Sequence, residues 1–213
     1  MTLATLLAIA LVATLLVGIL WRFASRRQQL PCPVWLRWLV ELDNPFTRTN
    51  RAHFIVGTLA LSPGMTVLDA GCGPGRLTVP LARGVGPTGR VVALDIQPGM
   101  LDRAKVKTDM AGLTNVEFVA AAPGEGRLSA NYFDRMVLVT VLGEIPNPAM
   151  ALRELFHALK PGGLLAIVEV IFDPHFQPRS TITSLALTAG LRERAFHGHG
   201  WAYVIHFEKP AGG

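Results

Sequence analysis

The sequence predicts an α/β fold: a doubly wound, mostly parallel seven-stranded sheet with an antiparallel last strand, preceded by a single transmembrane helix. Three observations predict it. Short apolar runs rich in β-formers alternate with helical stretches, and strands that are apolar almost throughout belong to a parallel sheet covered on both faces. The last two runs are joined only by Gly198-His199-Gly200, too short for a crossover, so they form an antiparallel hairpin. At the N-terminus, no charged side chain occurs from Thr2 to Trp21.

As a helix, the roughly 19 apolar residues of that first segment reach about 28 Å, close to the hydrocarbon thickness of a bilayer. Arg22, Arg26 and Arg27 all follow the run rather than precede it. This argues against a cleaved signal peptide and predicts a single-pass membrane protein with its catalytic domain cytoplasmic. Residues 22–46 form a basic, Trp-rich collar. Within it, Val34, Trp35, Trp38, Leu39 and Leu42 share one side of a short helix, with Arg37 and Glu41 paired four apart. That helix lies on the membrane or packs on the globular domain.

Residues 47–213 form the globular domain. A helix is expected over Thr47 to Ala60, then a breaker at Ser62-Pro63-Gly64. Strands are expected at Thr66 to Leu68, Val91 to Leu94, Val116 to Val119, Arg135 to Val141, Leu164 to Val170, Leu191 to Ala195 and Trp201 to Phe207. The helices between the first five are Leu77 to Arg83, Met100 to Met110, and Pro148 to Leu159 with Asn147 as its N-cap. Ala121 to Asn131, with two glycines and a proline, reads mostly as loop.

The chain's 213 residues suit one domain and an appendage. Half are hydrophobic and 16% charged, against roughly 25% in an average soluble protein, which excludes global disorder. Of the net charge of +5, +4 sits at residues 22–51, where six arginines (22, 26, 27, 37, 48, 51) face only Glu41 and Asp43. Basicity placed there, away from the domain, argues against nucleic acid as a partner. Cys32 and Cys72 lack the companions of a disulfide framework or a zinc site.

The run Val67-Leu-Asp-Ala-Gly-Cys-Gly-Pro-Gly75 leads from the first strand into a helix, where glycines admit a sharp turn and close approach of a ligand. A dinucleotide fingerprint would need a last glycine where Arg76 stands, which disfavours a nicotinamide or flavin enzyme. Asp95 ends the second strand 20 residues after Gly75, where a carboxylate can accept both hydrogen bonds of a ribose diol.

With these residues, Phe133-Asp134 and Leu159-Lys-Pro-Gly-Gly163, residues 47 to 209 resemble the class I S-adenosylmethionine-dependent methyltransferases. The resemblance implies a Rossmann-like sheet with a reversed final strand and S-adenosyl-L-methionine as cofactor. It further implies that Asp69, Gly71, Gly73 and Gly75 form the turn against the methionine part and that Asp95 holds the ribose. Many relatives carry an Asp after the third strand that bonds adenine; here Ala122 takes that place. Adenine is then held by backbone groups, by apolar contacts such as Ile96 or Met100, or by Glu125.

Methyl transfer needs a nucleophile aligned behind the methyl group, so a protein base is optional. Where the acceptor must lose a proton, Glu144 and His175 are the catalytic candidates, with Glu169 as a further one. The expected function is a membrane-anchored methyltransferase acting on a hydrophobic small molecule or lipid: a phospholipid headgroup, a quinone precursor or a lipophilic thiol. Membrane lipids are the other expected partners. The string Ala122-Pro-Gly-Glu125 and the anchored layout resemble membrane thiol methyltransferases, and the body is equally similar to quinone-biosynthesis and phospholipid N-methyltransferases. The alternative is a catalytically inactive, cofactor-binding membrane scaffold.

Overall fold

The computed structural model describes residues 2–28, 41, 43 and 47–211. Its elements in chain order are helix α1 (Leu3–Gln28), a 3-10 turn (Arg48–Asn50), α2 (Ala52–Thr58), β1 (Thr66–Ala70), α3 (Thr78–Val85), β2 (Arg90–Asp95), α4 (Pro98–Met110) and β3 (Val116–Ala120). There follow β4 (Phe133–Val139), a 3-10 turn (Leu142–Glu144), α5 (Pro148–Ala158), β5 (Leu159–Val170), α6 (Arg179–Thr188), β6 (Arg192–His199) and β7 (Ala202–Glu208).

The seven strands form one sheet in the order β3-β2-β1-β4-β5-β7-β6. The first five pair in parallel, and β7 runs antiparallel to both β5 and β6. Strand side chains alternate between two cores, as a period of two requires. Leu68, Leu94, Met136, Leu138, Leu165, Ile167 and Ile205 face α5 and α6, with Leu152, Leu155 and Ile182. Val67, Val91, Val137, Ala166 and Val204 face α2 and α3, with Ile55, Leu59, Leu81 and Val85. Each fully buried aliphatic side chain contributes about 1.5–3 kcal/mol. The two covered faces explain why the central strands are apolar throughout.

The last hairpin forms, but β6, expected to end at Ala195, runs to His199 and leaves Gly200-Trp201 as the turn. Three other elements depart from expectation. The helix expected over residues 47–60 is broken at Arg51, whose backbone is extended. The Arg76 guanidinium takes the Asn50 carbonyl at 2.6 Å, while Asp43 Oδ1 accepts the Ala52 N–H at 2.9 Å and starts α2 afresh. Second, β5 begins at Leu159, across Lys160-Pro-Gly-Gly163, with an irregular register beside Phe133 and Arg135. Third, α6 lies where no helix was expected. Its Ser and Thr residues are poor helix formers, and burial of Ile182 and Ala186 outweighs that propensity.

The expected membrane topology is corrected here. Among the described residues no helix is long and apolar enough to cross a membrane, so neither a single-pass span nor the orientation built on it stands. The N-terminal helix continues through residue 21 into a polar last turn, and Ser25 in that turn is buried on the domain against His175. Its end is therefore part of the globular surface. The short helix expected at residues 34–42, with Trp35, Trp38 and Arg37, and Cys32 before it, lie outside the described residues. Glu41 itself is held by Arg103 and Lys107 of α4, at 2.8 and 3.2 Å.

Candidate active site

The glycine turn follows directly from its sequence. Gly71, Gly73 and Gly75 have φ of +71°, +52° and +81°, a region that disfavours side chains. Space forbids them too. A Cβ on Gly71 would lie 2.3 Å from a methyl of Val141, and one on Gly75 would lie 2.9 Å from Cα of Ala104 in α4. The Leu94 carbonyl at the end of β2 accepts the N–H groups of both Gly71 and Cys72, at 2.7 and 3.0 Å.

Asp95 ends β2 beside this turn, 8% exposed. One carboxylate oxygen accepts the Gly73 N–H and the other the Gln97 N–H, each at 2.9 Å. Burial pushes its pKa up, against the hydrogen bonds from Gln97 and Gly73. Each oxygen retains a second lone pair, so the pair suits a ribose diol. Asp69 sits beneath the turn, where the Thr78 hydroxyl donates to it at 2.7 Å. Burial raises its pKa to about 6, opposed by Thr78 and Arg76 and reinforced by Asp95. Cys72 is buried, and burial pushes its thiol far up, so it is a packing residue with Ala93, Leu101 and Ala104.

Around this edge, Ile96 is half exposed, Met100 is buried, Ala122 is half-buried and Glu125 is exposed. The Ala121 N–H donates to the Asp95 carbonyl at 3.2 Å, tying the end of β3 to β2. Side-chain-free backbone at Gly71 and Gly73, a buried carboxylate at Asp95 and an apolar flank at Ile96 together fit a ribose-bearing, partly apolar cofactor.

A second group lies at the ends of β4 and β5. Gly143, in the 3-10 turn, lies so close to the following loop that a Cβ would stand 2.0 Å from the His175 carbonyl. The loop thereby sets His175 against Glu144: His175 Nδ1 is 3.6 Å from Glu144 Oε1. The imidazole is buried, with Nε2 at 3.2 Å from the Ser25 hydroxyl and 3.1 Å from the Ser25 carbonyl. Glu169, at the end of β5, is 1% exposed and accepts the Gln177 N–H at 3.0 Å. Burial drives its pKa well above the ordinary value, reinforced by Asp173 and Glu144. Tyr203 donates its hydroxyl to the Gln177 carbonyl. Two buried atoms here, Glu169 Oε1 and His175 Nδ1, have no hydrogen-bond partner among the described residues.

The structure thus brings Glu144, His175 and Glu169 into one cluster and gathers Asp69, Gly71, Gly73 and Asp95 at the glycine turn. Two residues escaped sequence reasoning. Ser25 meets His175 across 150 positions, which no local pattern reveals. Arg76 clasps Asp43 and both oxygens of Asn50, fastening the segment before α2 over the turn. A surface groove of about 440 Å³, bordered by Gly75, Arg76, Arg83 and Lys107, lies on the helical side of that turn, away from the Glu144–His175 pair.

Residues 61–194 match the family described as "Methyltransferase domain". The chain is 36% identical over 126 residues to a ubiquinone/menaquinone biosynthesis C-methyltransferase UbiE of Vibrio vulnificus, covering 57% of this chain and 48% of that protein. It is 34% identical over 115 residues to a demethylmenaquinone methyltransferase of Staphylococcus aureus, covering 54% and 47%. The chain thus spans about half the length of the curated relatives it matches. A SAM-dependent methyltransferase from Aquifex aeolicus superimposes with a TM-score of 0.74 at 24% identity, over 84% of this chain and all of that one. The [4+2]-cyclase SpnF gives 0.68 at 17%, over 77% and 81%. At these identities the two structures speak to the fold alone. The matching family, with a 3-2-1-4-5-7-6 sheet and a glycine turn closed by a strand-ending Asp, places the chain: it belongs to the methyltransferase domain family and carries a class I S-adenosylmethionine-dependent methyltransferase domain.

Proposed function

We propose that the chain methylates a lipophilic small molecule of the quinone-precursor type, with Glu144 and His175 on the acceptor side. The observation that carries the reading is the Asp95 carboxylate, buried and held by Gly73 and Gln97 at the edge of the glycine turn. It would bind the ribose hydroxyls. Gly71 and Gly73 would face the methionine end, with Gly75 and Asp69 holding the turn in shape. Ile96, Met100 and Ala122 would border the adenine. The substrate class is supported by the relatives, whose names specify ubiquinone/menaquinone biosynthesis and demethylmenaquinone.

When bound, S-adenosylmethionine supplies an electrophilic methyl group. The protein's part is to align the acceptor and take its proton. His175 Nδ1 is the proton-accepting atom, and the Glu144 carboxylate 3.6 Å away stabilises the imidazolium that forms. Burial of His175 and Glu169 keeps the cluster dry, which strengthens each of these interactions.

The test has two stages. Calorimetry should show S-adenosylmethionine binding to the full chain. Labelled methyl transfer is then offered to three acceptors: a chemically reduced short-chain demethylmenaquinone, phosphatidylethanolamine vesicles and an alkyl thiol. Label in the naphthoquinol supports the substrate class. Label only in the thiol or the phospholipid overturns it, and binding without turnover on any of the three favours a non-catalytic binding role.

A further inference from the structure

Among the described residues, the last turn of α1 meets the domain at a buried polar contact. Ser25 is 2% exposed, and both its carbonyl and its hydroxyl lie within 3.2 Å of His175 Nε2. A backbone carbonyl can only accept a hydrogen bond, so its 3.1 Å contact is a hydrogen bond in the tautomer that carries the proton on Nε2. In the neutral ring Nδ1 then carries the lone pair. That atom is buried, has no hydrogen-bond partner among the described residues, and looks toward Glu144 Oε1 at 3.6 Å.

We propose that Ser25 is a positioning residue of the acceptor site: its carbonyl fixes the Nε2–H tautomer of His175 and so holds Nδ1 ready to take the acceptor's proton. The inference rests on the reading of His175 and Glu144 as the acceptor-side pair. In the reaction the quinol's O–H bond breaks and its proton moves to Nδ1. The released electron pair re-forms a C=O bond and drives a ring π pair into the new C–CH3 bond, the electrons of the breaking S–CH3 bond remain on sulfur, and the ring C–H proton then leaves to solvent as the ring regains its aromaticity. His175 leaves the step as an imidazolium that lies between Glu144 and the last turn of α1. The N-terminal helix thereby becomes part of the chemical apparatus.

Long-range 1H–15N correlation on the full labelled chain, with His175 assigned by comparison with His175→Gln, reads the tautomer directly. The expected signature is a protonated Nε2 and a bare Nδ1; a proton on Nδ1 overturns the proposal. Ser25→Trp is too large for the buried slot and should unseat the turn. The signature is then lost, and kcat on the reduced demethylmenaquinone falls by about 100-fold, as a misplacement of about 1 Å can cause. Cofactor affinity by calorimetry should stay unchanged. Ser25→Ala keeps the carbonyl and should retain both the signature and a kcat within about threefold of wild type, the worth of one modest hydrogen bond. A Ser25→Trp chain that binds cofactor, keeps the signature and turns over normally refutes the role of Ser25. Full turnover in His175→Gln refutes the acceptor-pair reading beneath it. Should Ser25→Trp lose cofactor binding through misfolding, the wild-type tautomer and Ser25→Ala decide alone.

Discussion

Asp95 and Asp69 are both buried acids at one strand edge, yet they do different work. Asp95 spends one lone pair of each oxygen on the turn and keeps the others outward. Asp95→Ala should therefore weaken S-adenosylmethionine binding by about 1.5–3 kcal/mol, or roughly 10- to 150-fold in Kd by calorimetry. An unchanged Kd would place the ribose elsewhere. Asp69 bonds only inward, to Thr78, and its pKa of about 6 lies above the ordinary 3.8. The folded chain therefore holds this proton more tightly than the unfolded chain. Its contribution to stability is present in full below pH 4 and is lost as pH rises through 6, by about 3 kcal/mol in all. Asp69→Asn should gain on wild type over that interval, measured as urea midpoints from pH 4 to 7. A gap independent of pH would contradict the burial argument.

At the scale of elements, the glycine turn is locked between two neighbours of different compliance. A Cβ at Gly71 meets only the Val141 side chain, whereas a Cβ at Gly75 meets the Ala104 backbone. Gly71→Ala should lower the thermal midpoint, and Val141→Ala should recover part of the loss by removing the two methyls in the way. Gly75→Ala should cost about 1–3 kcal/mol and resist rescue by Ala104→Gly, because the Ala104 Cα remains. Equal rescue of both would mean that the turn moves freely against α4. The same contrast marks what the sequence disclosed. The strands were legible because apolar runs stop at Gly and Pro, and the final hairpin because three residues cannot cross a sheet. The meeting of Asp95 with Gly73 was legible because the two follow from the ends of neighbouring strands. The break at Arg51 was hidden because a guanidinium 25 residues later makes it, and α6 because its Ser and Thr argue for loop. The Ser25–His175 contact leaves no trace in either local sequence.

For the whole molecule, buried titratable groups set the acid response. Asp69, Asp95 and Glu169 all have pKa values raised chiefly by burial, so each contributes more stability as pH falls. His206 in β7 works against them. Burial, with His197 and Arg135, lowers it to about 4, so its contribution is complete above pH 6.5 and is lost as pH falls toward 4. His206→Gln should therefore gain thermal midpoint relative to wild type as pH falls from 7.5 to 5.5; a difference between the two proteins that does not change with pH would refute the burial of that imidazole.

The sheet order also has a consequence in time. Val141, which fills the space that Gly71 leaves, follows β4, and β4 inserts beside β1 with Val67 opposite Arg135. On a ribosome adding about 5–20 residues per second, Val141 is made on the order of 3 to 13 seconds after Gly75. Throughout that interval the nascent chain carries β1 with one edge unpaired and the cofactor turn with one wall missing. Leu68 and Ala70, buried in the finished protein, are then open to whatever holds apolar chain near the tunnel exit. The cofactor cannot help to close the gap, because the gap is in its own site.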